Sequence, residues 1–203
     1  AAHAWVADYC GDSTARLLGR VTFNPIKHID PFGTLLLPSL LVLVGSPFIF
    51  GFAKPVPVNF NRLNKPKRDM ALVAIAGPAI NLILAIGAAL SLHLVFPPSS
   101  DLAAWIYENL QNAVMANVVF AVFNMLPIPP LDGGRVLTGL LPKPLDWRFA
   151  SLERYGFLIL LGLILVSVFA SDLGLPFSPL EAILWPPIEA LIDVIAVLTG
   201  LGR

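Results

Sequence analysis

Residues 70–96 form an apolar run of 27 residues that contains no Asp, Glu, Lys or Arg. About 18 or more consecutive apolar residues are enough to cross a bilayer as a helix. The rest of the chain also suits lipid, because 57% of its 203 residues are hydrophobic and only 13% are charged, whereas a soluble domain carries about 25% charged residues. The sequence therefore predicts an all-α polytopic membrane protein built as a bundle of transmembrane helices.

Further apolar runs are interpreted as additional helices: 105–126, 155–170 and 183–201, with the end of another helix at 1–9 that stops at Gly11. We expect Pro186 and Pro187 to break the last run, because proline lacks the N–H and clashes with the preceding turn. That run either spans the membrane or lies at its surface as an amphipathic helix.

The loops sort by charge. Residues 54–69 hold five Lys or Arg against a single Asp, and residues 142–154 add three more basic residues. The positive-inside rule places both loops in the cytoplasm, so the protein is predicted to be an integral, multi-pass membrane protein in contact with the lipid bilayer. A net charge of zero argues against a nucleic-acid partner, and a single cysteine, Cys10, excludes a disulfide within the chain.

One face of the 105–126 run carries a stripe of amides: Asn109, Asn112, Asn117 and Asn124. Amides are costly in hydrocarbon, so this stripe is expected to face protein or an internal water cavity. Hydrogen bonding between helices is the simpler interpretation. A transporter path is a third, although transporters often contain two similar halves and none is visible here.

The stretch "FNMLPIPPLDGGRVL", residues 123–137, follows the amide stripe. Its three prolines are expected to end the helix, and the extended segment after them can direct Asp132 back into the bundle. An ordinary Asp-Gly turn at the membrane surface is the alternative.

The motif "NMLPIPPLDGG" resembles the third-ligand motif of the site-2 protease family of intramembrane zinc metalloproteases. "AGPAIN", residues 76–81, resembles that family's Gly-Pro-x-x-Asn element, and "AAHAWVADYCGDSTARLLGR" resembles the sequence that leaves its HExxH helix. "NPIKHIDPFGT" and "KPVPVN" resemble stretches of a bacterial and archaeal branch of the family. The resemblance covers roughly residues 1–140 and implies a prokaryotic inner-membrane location.

In an HExxH motif the two histidines share one helical face and both bind zinc. The resemblance makes His3 the second of them and Asp132 the third zinc (Zn2+) ligand. It also implies that the chain is truncated within HExxH, so that the catalytic Glu stands just before Ala1 and this fragment is itself inactive. Asn124 is the candidate donor to the oxyanion formed during peptide hydrolysis, and structural bonding that holds the "PIPP" bend is an equally good role for it.

These implications define a single membrane-embedded metalloprotease domain over residues 1–203. Residues 1–140 form its catalytic core, without the first helix, and residues 141–203 add C-terminal membrane helices. The expected function is intramembrane endopeptidase cleavage of transmembrane segments in membrane protein substrates, that is, regulated intramembrane proteolysis. The alternative is a non-catalytic membrane protein of the same fold that binds helices or a partner. The sequence does not indicate an oligomeric state.

A shared zinc has a topological consequence. If His3 and Asp132 lie at the same depth, residues 34–52 must cross the membrane an even number of times, so we expect a re-entrant segment that turns near Gly45, Ser46 and Pro47. A short membrane-associated β element at 35–37 or 56–58 could pair with an opened substrate.

The remaining polar residues receive ordinary structural roles. His28 is expected to order a turn, and His93 to extend to the outer membrane interface. The carboxylates that we expect to be solvated or to cap helices are Asp8, Asp12, Asp30 and Asp69.

Overall fold

The computed structural model describes residues 1–22, 24–44, 54, 56–170, 174 and 177–202. The regular structure in these residues is helical. Its elements are α1 (Ala2–Tyr9), α2 (Thr14–Leu17), a 3-10 turn (Pro25–His28), a π-helical turn (Pro31–Leu36) that continues into α3 (Leu37–Leu43), a 3-10 turn (Phe60–Arg62), α4 (Pro66–Leu92), α5 (Asp101–Asn124), α6 (Asp132–Leu140), α7 (Leu145–Ala150), α8 (Glu153–Val168) and α9 (Pro179–Thr199). The chain divides into two compact units, Ala1–Val73 and Ala74–Arg203, and each is described by itself.

Two of the described helices, α4 and α9, are long and apolar enough to cross a membrane. The predicted break in α9 is wrong, because this helix continues through both Pro186 and Pro187. Proline removes one backbone hydrogen bond but keeps a helical φ, and apolar helices tolerate it when packing against neighbours holds them. Here Ile188 and Ile195 anchor α9 in the core of the second unit.

The core of the second unit joins α4, α5 and α9. It is built from small and branched side chains: Ala85, Ala89, Val118, Val122, Ile188 and Ile195. Small residues such as these alanines let helix backbones approach closely. The buried face of α5 is therefore its Val and Ala face rather than its amide stripe.

The amide stripe bonds within its own helix. Asn109, Asn117 and Asn124 each donate a side-chain N–H to the carbonyl oxygen four residues earlier, at 2.8, 2.8 and 2.9 Å. The interpretation of these three amides as hydrogen bonds between helices is wrong. An i−4 backbone carbonyl satisfies the amide locally and needs no partner helix.

The predicted β element is also wrong, because residues 35–37 are helical and residues 56–58 lie outside any strand. Asp30 explains the first case. Its carboxylate accepts hydrogen bonds from the N–H groups of Phe32 (3.0 Å) and Gly33 (2.8 Å), and Pro31 stands at the first helical position, so a helix begins here. The predicted turn at 45–47 lies outside the described residues.

The first unit is organised around a buried carboxylate. Asp12 has no exposed surface. It accepts hydrogen bonds from the hydroxyl and N–H of Thr14, the latter at 3.1 Å, and from the N–H of Asn59 at 2.6 Å. Burial alone would raise the pKa of Asp12, but the hydrogen bonds from Thr14 and Asn59 outweigh it and lower that pKa. Burial rules out the solvated alternative for Asp12 and Asp69, whereas the capping alternative is confirmed for Asp69, which accepts from the N–H of Lys65 at the start of α4.

Arg20 holds together two segments of the first unit that are distant in sequence. Its guanidinium is almost fully buried and donates to the carbonyl oxygens of Lys27 and Lys54, the latter at 2.7 Å. The N–H of Lys54 in turn donates to the carbonyl oxygen of His28 at 3.0 Å. The two ends of the segment between residues 28 and 54 therefore lie side by side in the first unit.

Candidate metal-ligating residues

His3 is the second residue of the short helix α1, which ends two residues before Gly11, where φ is 107°. Its Nδ1 is 2.7 Å from the carbonyl oxygen of Val73 in α4. A carbonyl only accepts, so Nδ1 carries a proton, and in the neutral imidazole Nε2 is then the acceptor nitrogen. Histidines that bind metals characteristically donate their other N–H in this way. The Nδ1 contact of this half-buried residue is therefore of the kind that metal-binding histidines make.

Asp132 is the first residue of α6, not part of a surface turn. The predicted end of α5 before the prolines is confirmed, since that helix stops at Asn124, three residues before Pro127. The bend that follows, residues 125–131, is tied by hydrogen bonds from the N–H of Ile128 to Leu126 and from the N–H of Leu131 to Ile128. Asp132 is half-buried at the point where this bend becomes helix.

Helix α6 was not predicted. Its sequence "DGGRVLTGL" begins with two glycines, and glycine costs about 1 kcal/mol in a helix relative to alanine. Packing explains the exception: a Cβ on Gly133 would lie closer than 3.0 Å to the carbonyl oxygen of Met125, and one on Gly134 would lie 2.5 Å from the nitrogen of Pro129. The glycines let α6 start directly against the bend, and Asp132 precedes them.

Asn124 is the last residue of α5 and is half-buried. Its side-chain N–H donates to the carbonyl oxygen of Phe120 at 2.9 Å. This hydrogen bond lies within the helix and does not reach the proline bend, and both roles considered for Asn124 stay predictions. The amide nitrogen carries a second hydrogen in addition to the one given to Phe120.

The candidate ligands fall in different units, His3 in the first and Asp132 in the second. Each is described within its own unit, and their assignment to one metal stays a prediction. In the described part of the chain, no group of three or more His, Cys, Asp or Glu side chains is placed to hold a metal ion. The prediction placed only two ligands in these residues.

The other two histidines have structural roles. His28 bonds through Nε2 to the carbonyl oxygen of Thr22 at 3.0 Å, which confirms that its imidazole orders a turn. His93 is exposed just after α4, and its Nε2 lies 2.7 Å from the carbonyl oxygen of Thr199, the last residue of α9. This contact satisfies one of the carbonyls that a helix C-terminus leaves without an intrahelical donor.

Two residues organise the first unit: Asp12, for which the sequence predicted only a solvated or capping role, and Arg20, for which it predicted none. "GDST" contains a signal for Asp12, because an Asp two residues before a Thr N–H is typical of a side-chain capped turn. Its third partner, Asn59, is 47 residues away and has no local signature. Arg20 likewise binds backbone carbonyls, whose positions no side-chain pattern marks.

The chain is similar to several known proteins. The family model described as "Peptidase family M50" matches residues 93–165, which include the proline bend and Asp132. A protein of Bacillus subtilis named "Putative zinc metalloprotease YwhC" is 39% identical over 198 residues, which is 96% of this chain and 82% of that protein.

More distant relatives carry names of the same kind. The Rip2 protein of Mycolicibacterium smegmatis is 31% identical over 163 residues, covering 80% of this chain and 60% of that relative. MJ0611 of Methanocaldococcus jannaschii is 38% identical over 87 residues. No solved structure matches the chain. The identity to YwhC extends over nearly the whole chain, and the chain therefore belongs to peptidase family M50, the site-2 protease family of membrane metalloproteases.

Proposed function

We propose that this chain is the zinc-binding core of an intramembrane endopeptidase that cleaves transmembrane segments of other membrane proteins. The observation that carries the proposal is the hydrogen bond from His3 Nδ1 to the carbonyl of Val73, in a chain of the M50 family. This hydrogen bond fits a zinc ligand, because a metal-binding histidine donates one ring N–H to such an acceptor and binds the metal through its other nitrogen. The names of the relatives, which are zinc metalloproteases, support the choice of metal.

Asp132 supplies the second proposed ligand. Its carboxylate stands in the first turn of α6, where the helix dipole favours negative charge. A carboxylate must be ionised to bind a metal, so this position suits a ligand. When bound, zinc supplies a Lewis acid that lowers the pKa of water and polarises a carbonyl group.

Asn124 is proposed to stabilise the charge that develops during the reaction. One amide hydrogen orients the side chain by bonding to Phe120, and the second is donated to the carbonyl oxygen of the scissile peptide as that oxygen becomes negative. The pre-oriented amide needs no rearrangement when the charge forms. Substrate helices must open locally, because each peptide carbonyl of an intact helix is already bonded within its own helix.

The proposal includes a multi-pass topology with residues 34–52 as a re-entrant segment. The Arg20 contacts support it, since they bring residues 27–28 and residue 54 together on either side of this segment. A segment whose two ends meet at one point leaves the membrane on the side where it entered. The two basic loops then lie in the cytoplasm.

The metal assignment is tested with the full-length protein purified in detergent. We expect Asp132→Ala to lose its zinc, measured by elemental analysis, together with its proteolytic activity on a transmembrane substrate. Asp101→Ala is the matched control, because Asp101 also occupies the first position of a helix, α5, but lies outside the motif. It should keep both zinc and activity.

Asn124→Ala separates binding from catalysis. It should retain zinc while kcat falls by about 10² to 10³-fold, the usual cost of removing one oxyanion donor. Equal zinc in the wild type and Asp132→Ala would remove Asp132 as a ligand. If the wild-type protein contains no zinc and binds substrate helices without cleaving them, the non-catalytic helix-binding function is favoured instead.

A further inference from the structure

Gly156 lies at the first full turn of α8, buried against the bend that precedes Asp132. A Cβ atom added to Gly156 would collide with the carbonyl oxygen of Pro129 and would lie 2.6 Å from both the carbonyl carbon of Pro129 and Cδ of Pro130. Real Cβ atoms do not approach backbone atoms so closely. Only a hydrogen fits at this position, so α8 rests directly on the backbone of the bend.

Helix α6 makes a second set of close contacts with the same bend. Gly133 meets the backbone of Met125 and Leu126, and Gly134 meets Ile128 and the nitrogen of Pro129, again at distances that exclude a Cβ. Pro129 is itself buried. The first turns of α6 and α8 thus both contact the backbone of the bend, with glycine at each of these contacts.

Asp132 directly follows this bend in the chain. It stands two residues after Pro130 and immediately before Gly133, so a shift of the bend must move its backbone. An ion pair between Arg135 and Glu153, at 3.3 Å, connects the starts of α6 and α8 a second time. The position of the Asp132 carboxylate therefore depends on the seating of α8, a helix that contributes no ligand.

We propose that Gly156 is a positioning residue for the metal site: it seats α8 on the Pro129–Pro130 bend and thereby holds Asp132 where it can bind the metal. The proposal rests on the proposed function, in which Asp132 is a zinc ligand. Helix propensity does not account for a glycine here, because alanine is the better helix former by about 1 kcal/mol. The same helix provides the comparison, since a Cβ on Gly162 would meet nothing within 4 Å.

The test measures zinc affinity of the full-length protein in detergent by competition with a chelator. Gly156→Ala should lower the affinity by about 10-fold, the lower end of what loss of a supporting contact around a ligand costs. Gly162→Ala should stay within about twofold of the wild type, because its methyl group enters open space. In the Asp132→Ala background, where only a weak residual affinity for zinc is expected, Gly156→Ala should leave that residual affinity unchanged.

The outcomes separate two failures. If Asp132→Ala binds zinc like the wild type, the proposed function is wrong at that ligand. If Asp132→Ala loses zinc but Gly156→Ala behaves like Gly162→Ala, the positioning role of Gly156 alone is wrong. A further loss of affinity when Gly156→Ala is added to Asp132→Ala would also overturn it, because Gly156 would then act on the metal through another group.

A second measurement needs no variant, in case Gly156→Ala fails to fold. Hydrogen exchange of the wild type is compared with and without zinc. A bound ligand stabilises the segments whose opening would release it, so zinc should slow exchange in residues 127–135 and 153–158 together but not in 162–168. Protection confined to 127–135 would show that α8 does not hold the ligand segment.

Discussion

Asp12→Asn is expected to open the first unit, and the structure gives the size of the effect. One carboxylate oxygen, Oδ1, accepts from the N–H and hydroxyl of Thr14, and the other, Oδ2, accepts from the N–H of Asn59. An amide can reproduce the first pair of bonds, but its NH₂ group must then face the Asn59 N–H, donor against donor. A charged hydrogen bond is worth about 1.5–3 kcal/mol, and a buried donor left unpaired costs about 1–3 kcal/mol. Both figures describe the loss of the same contact and are not summed, so we expect a loss of about 2 kcal/mol.

Cys10 provides the assay. It is the single cysteine of the chain, lies two residues from Asp12 and is 7% exposed. Burial, followed by the charge of Asp69, raises the pKa of its thiol, so a thiol reagent reacts after the unit opens. A loss of 2 kcal/mol should accelerate labelling about 30-fold, since each 1.4 kcal/mol is a factor of ten. Asp30→Asn is the matched control, because asparagine caps a helix as well as aspartate does. Equal labelling rates in the two variants would refute the reasoning.

The same carboxylate makes the first unit sensitive to acid. The folded-state pKa of Asp12 is lowered, so its contribution to stability is fully present above the ordinary Asp pKa of about 3.9 and is lost as the pH falls through the folded pKa. Hydrogen exchange of residues 12–20, corrected for the intrinsic rate, should therefore accelerate below about pH 4 in the wild type. An identical acid dependence in Asp12→Asn would assign the effect to another group.

Two further predictions concern the first unit. Gly11→Ala should destabilise the first unit by about 1 kcal/mol more than Gly19→Ala. Both glycines have a positive φ, at 107° and 64°, but a Cβ at Gly11 would also lie 2.8 Å from Oδ1 of Asn64, whereas one at Gly19 meets open space. Cys10 labelling measures the stability of both variants, and equal effects would contradict the role of the Asn64 contact. In a Cys10→Ser background, single cysteines at the exposed positions Lys27 and Asn61 should react with an impermeant reagent from the same, cytoplasmic side of the membrane. Labelling from opposite sides would rule out the re-entrant segment.

Helix positions were largely predictable, because long apolar runs give a strong local signal. Helices α4, α5, α8 and α9 begin two to four residues before the predicted runs and end up to four residues before them. The errors arose where local propensity was overruled. Pro186 and Pro187 do not break α9, and the paired glycines do not prevent α6, because packing decides at both places.

The candidate site was predictable only in part. The family resemblance predicted Asp132 and His3 as ligands, but the hydrogen bond that orients His3 joins residues 70 positions apart and leaves no trace in either local sequence. The same holds for Asp12, whose partner Asn59 comes from a distant loop. The role of Gly156 is harder still to predict from the sequence. It depends on a close contact with the backbone of Pro129, which only the folded chain brings near.

The proline pair in α9 also has a mechanical consequence. Pro186 and Pro187 have no N–H to give to the carbonyls four residues earlier, those of Ala182 and Ile183. The helix therefore has a stretch in which curvature can change without breaking intrahelical bonds, whereas α4, with Pro78 alone, has a single such position. Of the two described helices that are long enough to cross a membrane, α9 is thus the easier to bend, and its bending should concentrate between residues 182 and 187.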